Sequence, residues 1–134
     1  MDTIELGRFA IAPDGTVTPC GGPESPALRF AWRGRPCQAQ FDPGAIRLAA
    51  DAARIPSTAD RAADRPRAFA AVADLPRRLP DGWHARLLPD HRIRIEAQAP
   101  MDNPSNATAL VATPVRFALA LDPYLDALEA EGAA

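Results

Sequence analysis

The cysteines and histidines of this chain, Cys20, Cys37, His84 and His91, are the first residues to weigh for transition-metal binding or nucleophilic chemistry. Zinc sites group cysteine and histidine at short recurring spacings, but these cysteines form no C-x-x-C pair. The histidines lie at opposite ends of one short strand pattern, about 13 Å apart on strand geometry, so they do not share an ion. Cys37 alternates with apolar neighbours and is predicted to point inward, where a thiol behaves as a small hydrophobe. Cys20, beside Gly21-Gly22, is the more exposed thiol, yet no basic neighbour is present to lower its pKa. Ser25, Ser57 and Ser105 fall in loop sequence without a nucleophile elbow. Asp122/Asp126 and Glu129/Glu131 read as a solvated helix face and an acidic tail. Gly21-Gly22 runs into Pro23 and opens no helix, so a phosphate cradle is not expected. The expectation is a non-enzymatic chain with no cofactor and no metal.

One constellation remains. If helices cover the apolar side of the sheet described below, the opposite side collects Arg29, Gln38, Gln40, Arg47, Arg86, Arg92 and Arg94, with His84 among them. Glu96 and Asp51 moderate its charge. Two readings compete. The bland one is the ordinary solvated face of an antiparallel sheet. The functional one is an arginine-bearing platform for an acidic or extended protein or peptide partner, because guanidinium pairs with carboxylate bidentately. All 15 basic residues are arginine; with 29 alanines and 15 prolines this fits the coding bias of a GC-rich bacterial genome. A net charge of −2 argues against a general nucleic-acid footprint.

These side chains depend on the order of the elements. Leu28, Phe30 and Trp32 alternate on one strand, and Cys37, Ala39 and Phe41 on its return, with Arg33-Gly34 as a tight turn. Asp42-Pro43-Gly44 turns the chain into a third strand with Ile46, Leu48 and Ala50 on the same face. A helix over about 66–75 is predicted from Asp64 as N-cap, Pro66 in the first turn and a Phe69, Val72, Leu75 stripe, with Pro76 stopping or kinking it. Trp83–Ala97 reads as a hairpin. A three-residue loop, Pro89-Asp90-His91, pairs Leu88 with Arg92 and puts Trp83, Ala85, Leu87, Ile93, Ile95 and Ala97 on one face; a one-residue slip would invert them all. Asp90 or His91 should then adopt the left-handed conformation. Met101–Asn106 reads as a polar turn. A last helix is predicted over Pro114–Glu129, capped at Thr113 and kinked at Pro123, with Phe117, Leu121, Tyr124, Leu125 and Leu128 on one side.

The result is an α+β domain over residues 28–131, a single antiparallel sheet in β-β-β-α-β-β-α order with its helices on one face. Residues 1–27 form an N-terminal strand and turn arm. Within it Ile4 to Ile11 reads as one bulged strand slipping at Gly7, and Pro13-Asp14-Gly15 turns into Thr16-Val17-Thr18. Large apolar residues are few once alanine is set aside, so a bound partner or a homodimer is expected. No signal peptide or membrane-spanning run is present, and a soluble cytoplasmic protein, with no membrane or nucleic-acid partner, is the expectation.

The Ile46/Leu48 strand leading into Ile55-Pro56, the Phe69–Leu75 helix, the hairpin ending Arg92-Ile93-Arg94-Ile95-Glu96 and the Phe117–Leu128 helix together resemble the type III secretion chaperone-like fold. Within it the chain is similar to the YbjN family over Leu28–Glu129. The front of the chain departs from the secretion chaperones, which begin with a helix. The resemblance implies a non-enzymatic, often dimeric protein without a cofactor that binds another polypeptide in a chaperone-like or regulatory role. The alternative is a small-molecule sensor with a pocket between sheet and helices, lined by Phe30, Trp32, Trp83 and Phe117.

Overall fold

The computed structural model describes residues 4–6, 9–19, 27–60, 63–101 and 105–133. Its centre is a five-stranded antiparallel sheet of β4 (Ala27–Trp32), β5 (Arg35–Asp42), β6 (Ala45–Arg54), β7 (His84–Leu87) and β8 (Arg92–Pro100), in the spatial order β4-β5-β6-β8-β7. Two helices, α1 (Arg65–Arg78) and α2 (Ala107–Ala130), supply the other layer. The fold is α+β, and sheet and helices follow the order expected from sequence.

Local chemistry sets the register at each turn. Arg33 and Gly34 both have positive φ, 52° and 79°, which makes the two-residue turn whose twist matches the flanking strands. Trp32 pairs with Arg35, Phe30 with Cys37 and Leu28 with Ala39. At the second hairpin the Leu88 N–H donates to the Arg92 carbonyl at 2.8 Å, and His91 takes the left-handed conformation at φ 67°. Leu87 therefore faces Ile93 and Ala85 faces Ile95, as the burial argument requires. The register of β6 and β8 slips between Asp51 and Ala53. That bulge buries Ala52 and Ala53 together and lets Asp51 receive both Arg92 and Arg94.

Ala39, Phe41, Ile46, Leu48, Ala50, Ile93 and Ile95 from the sheet meet Leu110, Phe117, Leu121, Leu125 and Leu128 of α2 in one core. The polar termini are closed locally. Asp64 accepts from the Arg67 N–H, and Asn106 from the Ala109 N–H at 2.8 Å. The Nε1–H of Trp32 donates to Asp122 at 2.8 Å. Arg33 reaches Asp122, Asp126 and Glu129, so the strained turn residue is held against α2 by three carboxylates.

Several expectations are corrected. Ile4 to Ile11 is two strands, β1 (Ile4–Leu6) and β2 (Phe9–Ile11), paired with each other through Ile4↔Ile11; the slip at Gly7 lies outside the described residues. β3 (Thr16–Pro19) returns as expected and also pairs with β9 (Ser105–Asn106), which gives a second, four-stranded sheet. α2 begins two turns before Pro114, because Asn106 caps it and Leu110 finds core burial there. Of the expected 101–106 turn, residues 102–104 are outside the described set. α1 runs past Pro76 to Arg78, with an exposed Asp74–Arg78 pair across the proline and buried Leu79 as its C-cap. Phe69 lies outside the core, with the Arg65 guanidinium 5.4 Å from its ring centre, and the inward stripe passes through Ala68 and Leu75. Leu87 is exposed at the loop end of the edge strand.

These placements separate two substitutions. Ile95→Ala, at a site with no exposure, should cost about 2–5 kcal/mol in denaturant unfolding, whereas Phe69→Ala should cost less than about 1 kcal/mol. Equal losses would contradict the inward stripe of α1.

Candidate functional site

Side chains alternate across a strand, so the five strands that point aliphatic groups at α2 must point their other residues away from it. The register lines these up in rows. One runs Arg29, Gln38, Ala49, Glu96, His84, and the next toward Asp42 runs Gln40, Arg47, Gln98. Ala49 puts only a methyl group at the centre of long side chains. The sheet face is consequently concave there, with a cavity of about 310 Å³ bordered by Gln38, Gln40, Arg47, His84, Arg86 and Arg94. Gly82, Glu96 and Gln98 complete its rim.

Five of the seven residues expected to bind a partner therefore share one cavity. Arg29 stands beside it, exposed and opposite Gln38, and makes no ion pair among the described residues. Arg92 does not join it. Asp51 at 2.7 Å and Asp90 hold Arg92 at the bulge, where it borders a second depression with Arg33, Arg35 and Arg54. Arg33 and Arg35 there are occupied by α2 carboxylates, Arg33 by Asp122, Asp126 and Glu129 and Arg35 by Glu129.

Within the cavity each arginine has a carboxylate neighbour: Arg47 with Asp42 at 2.7 Å, Arg86 with Glu96 at 3.1 Å and Arg94 with Asp51 at 3.2 Å. One such contact uses a fraction of the five N–H donors a guanidinium carries. The site can thus offer fixed, oriented donors together with the Gln38, Gln40 and Gln98 amides, each both donor and acceptor. Sequence pattern located the charged members through alternation. It missed Ala49, Gly82 and Gln98, whose contribution is the space they leave and the rim they form.

The alternative pocket is differently placed. Trp83 stacks at a tilt on Phe117 with ring centres 5.0 Å apart and approaches Tyr124 at 6.0 Å. A shallower cleft of about 270 Å³ opens beside them, bordered by Ala97, Ala99, Thr113, Arg116 and Ala120. Trp32, on the far side of α2, does not reach it.

For the residues with catalytic potential, Cys37 is buried as expected, while Cys20, Gly21-Gly22 and Ser25 lie outside the described residues. His84 begins β7 and His91 sits in its loop, so the strand separates them. Among the described residues no three His, Cys, Asp or Glu side chains are grouped to hold a metal ion, and no helix is long and apolar enough to cross a membrane. Comparison of the chain with protein-family models, curated proteins and solved structures gives no match.

Burial pushes the Cys37 thiol from its usual 9.0 up to about 11, against a smaller opposing effect of a backbone hydrogen bond. The folded chain then keeps a proton that the unfolded chain releases above about pH 9. Stability should accordingly fall as pH rises from about 9 to 11, and Cys37→Ala should remove that part of the fall. Identical alkaline profiles for the two proteins would contradict the placement of the thiol.

Proposed function

We propose that this chain is a non-enzymatic binding module, chaperone-like or regulatory in role, whose uncovered sheet face engages an acidic segment of another polypeptide. The observation that carries this reading is the concavity over Ala49, where Arg47, Arg86 and Arg94 converge with Gln38 and Gln40. A bare anion needs only the arginines. A peptide also presents alternating C=O and N–H groups, and glutamine amides satisfy both. An antiparallel sheet covered on one side is a rigid base for such contacts, so little ordering is required on binding.

A second reading has its own support. The cleft beside Trp83 and Phe117 pairs aromatic surface with Arg116, the mixture a small anionic ligand would use. Its volume is at the lower end for such sites, and the first reading involves more polar groups.

The test uses a fluorescein-labelled peptide alternating Glu with Val, followed by anisotropy. The Arg47→Gln/Arg86→Gln double variant should bind about tenfold or more weakly, with a reduced salt dependence, and melt close to the wild-type temperature because exposed ion pairs contribute little. Equal binding by the variant, or no binding by the wild type, would sink the proposal.

A further inference from the structure

The β4–β5 turn decides which way the backbone of β4 faces. With Trp32↔Arg35 as the closing pair of a two-residue turn, Leu28, Phe30 and Trp32 exchange hydrogen bonds with β5. The N–H and C=O groups of Ala27, Arg29 and Ala31 therefore point away from the sheet, and all three residues are exposed. Among the described residues no strand pairs with that edge.

The helix above it is incomplete in the same direction. The α2 flank that carries Asp122 faces β4, since Asp122 accepts from Trp32, while the Thr113, Arg116 and Ala120 flank faces β8. Stepping back from Asp122 by three, four and four residues gives Leu119, Val115 and Val111 on the same side. They are 54%, 48% and 61% exposed. Thr113 and Phe117 lie by Leu48 and Ala97, in the row of Leu28, so α2 runs in the direction of β4. From Asp122 to Val111 the helix rises about 16 Å, the length of β4. An open strand edge and a bare apolar helix flank thus run side by side.

We propose that a partner segment adds as a sixth strand on the outer edge of β4, with a carboxylate against Arg29 and its alternate apolar side chains beneath Val111, Val115 and Leu119. This rests on the reading that the sheet binds a polypeptide, and it adds a second contact for that polypeptide, at the β4 margin rather than over Ala49. The charge identifies the occupant. Arg29 has no ion-pair partner among the described residues, and β4 carries no carboxylate. A second copy of β4 fits worse. Every antiparallel register that keeps most of two such strands overlapped sets both Arg29 side chains opposite or diagonal on one face, which like charges disfavour. Main-chain bonds would supply affinity and the alternate side chains selectivity.

The test is amide hydrogen exchange on the full chain with the Glu-Val peptide, made about six residues long. The Arg29 and Ala31 amides should become protected. Ala31→Pro removes an outward donor and no bond to β5, and should weaken binding about tenfold or more, while Ala31→Ser, which keeps the N–H, should bind as the wild type does. Peptide binding with both amides still exchanging freely overturns strand addition and leaves the sheet-face reading standing. No binding at all overturns both. Protection of these amides without peptide, growing with concentration alongside a dimer mass, would make a second copy the occupant and overturn the acidic partner. Should Ala31→Pro fail to fold, exchange in the wild type still decides.

Discussion

The structure depends on α2 keeping one side of the five-stranded sheet dry. Leu110, Phe117, Leu121, Leu125 and Leu128 lie along a single stripe and cover Ile46, Leu48, Ile93 and Ile95. With alanine so abundant, few other large side chains could do this. Covering one side of a sheet with strict alternation leaves the other side polar by necessity. The helix is also the tether for the β4–β5 turn, through Trp32, Arg33 and Arg35. The turn it holds, closed by Trp32 and Arg35, fixes which backbone groups of β4 are used internally and which face outward.

The same constraint divides the arginines into two kinds. Arg33 and Arg35 at the turn are tied to α2, and Arg92 at the bulge is held by two carboxylates, Asp51 and Asp90. Those over Ala49 each have one carboxylate neighbour and several donors left, while Arg29 is exposed at the margin without an ion-pair partner among the described residues.

Much of this was legible in the sequence because it is local. Two turns and strict alternation were sufficient to set both hairpin registers, including the inward thiol of Cys37 and the left-handed residue after Pro89. Non-local choices were hidden. Nothing near Pro114 reveals that Asn106 caps the helix earlier, since the gain comes from Leu110 meeting a sheet far away in sequence. Phe69 has the hydrophobicity of a core residue, yet Ala68 takes the inward place on α1. The site shows the same division. Alternation placed its arginines and glutamines, but the cavity exists because Ala49 is small, and Arg92 left the group because a bulge brought Asp51 to it.

The proposed binding surface joins the uncovered sheet face to its β4 margin and takes an acidic polypeptide. Chemical-shift mapping of the ¹⁵N-labelled chain titrated with an acidic peptide tests it most directly. Shifts should concentrate at Arg29, Gln38, Gln40, Arg47 and Ala49. Shifts confined to Trp83, Phe117 and Arg116, or none under saturating peptide, would contradict it.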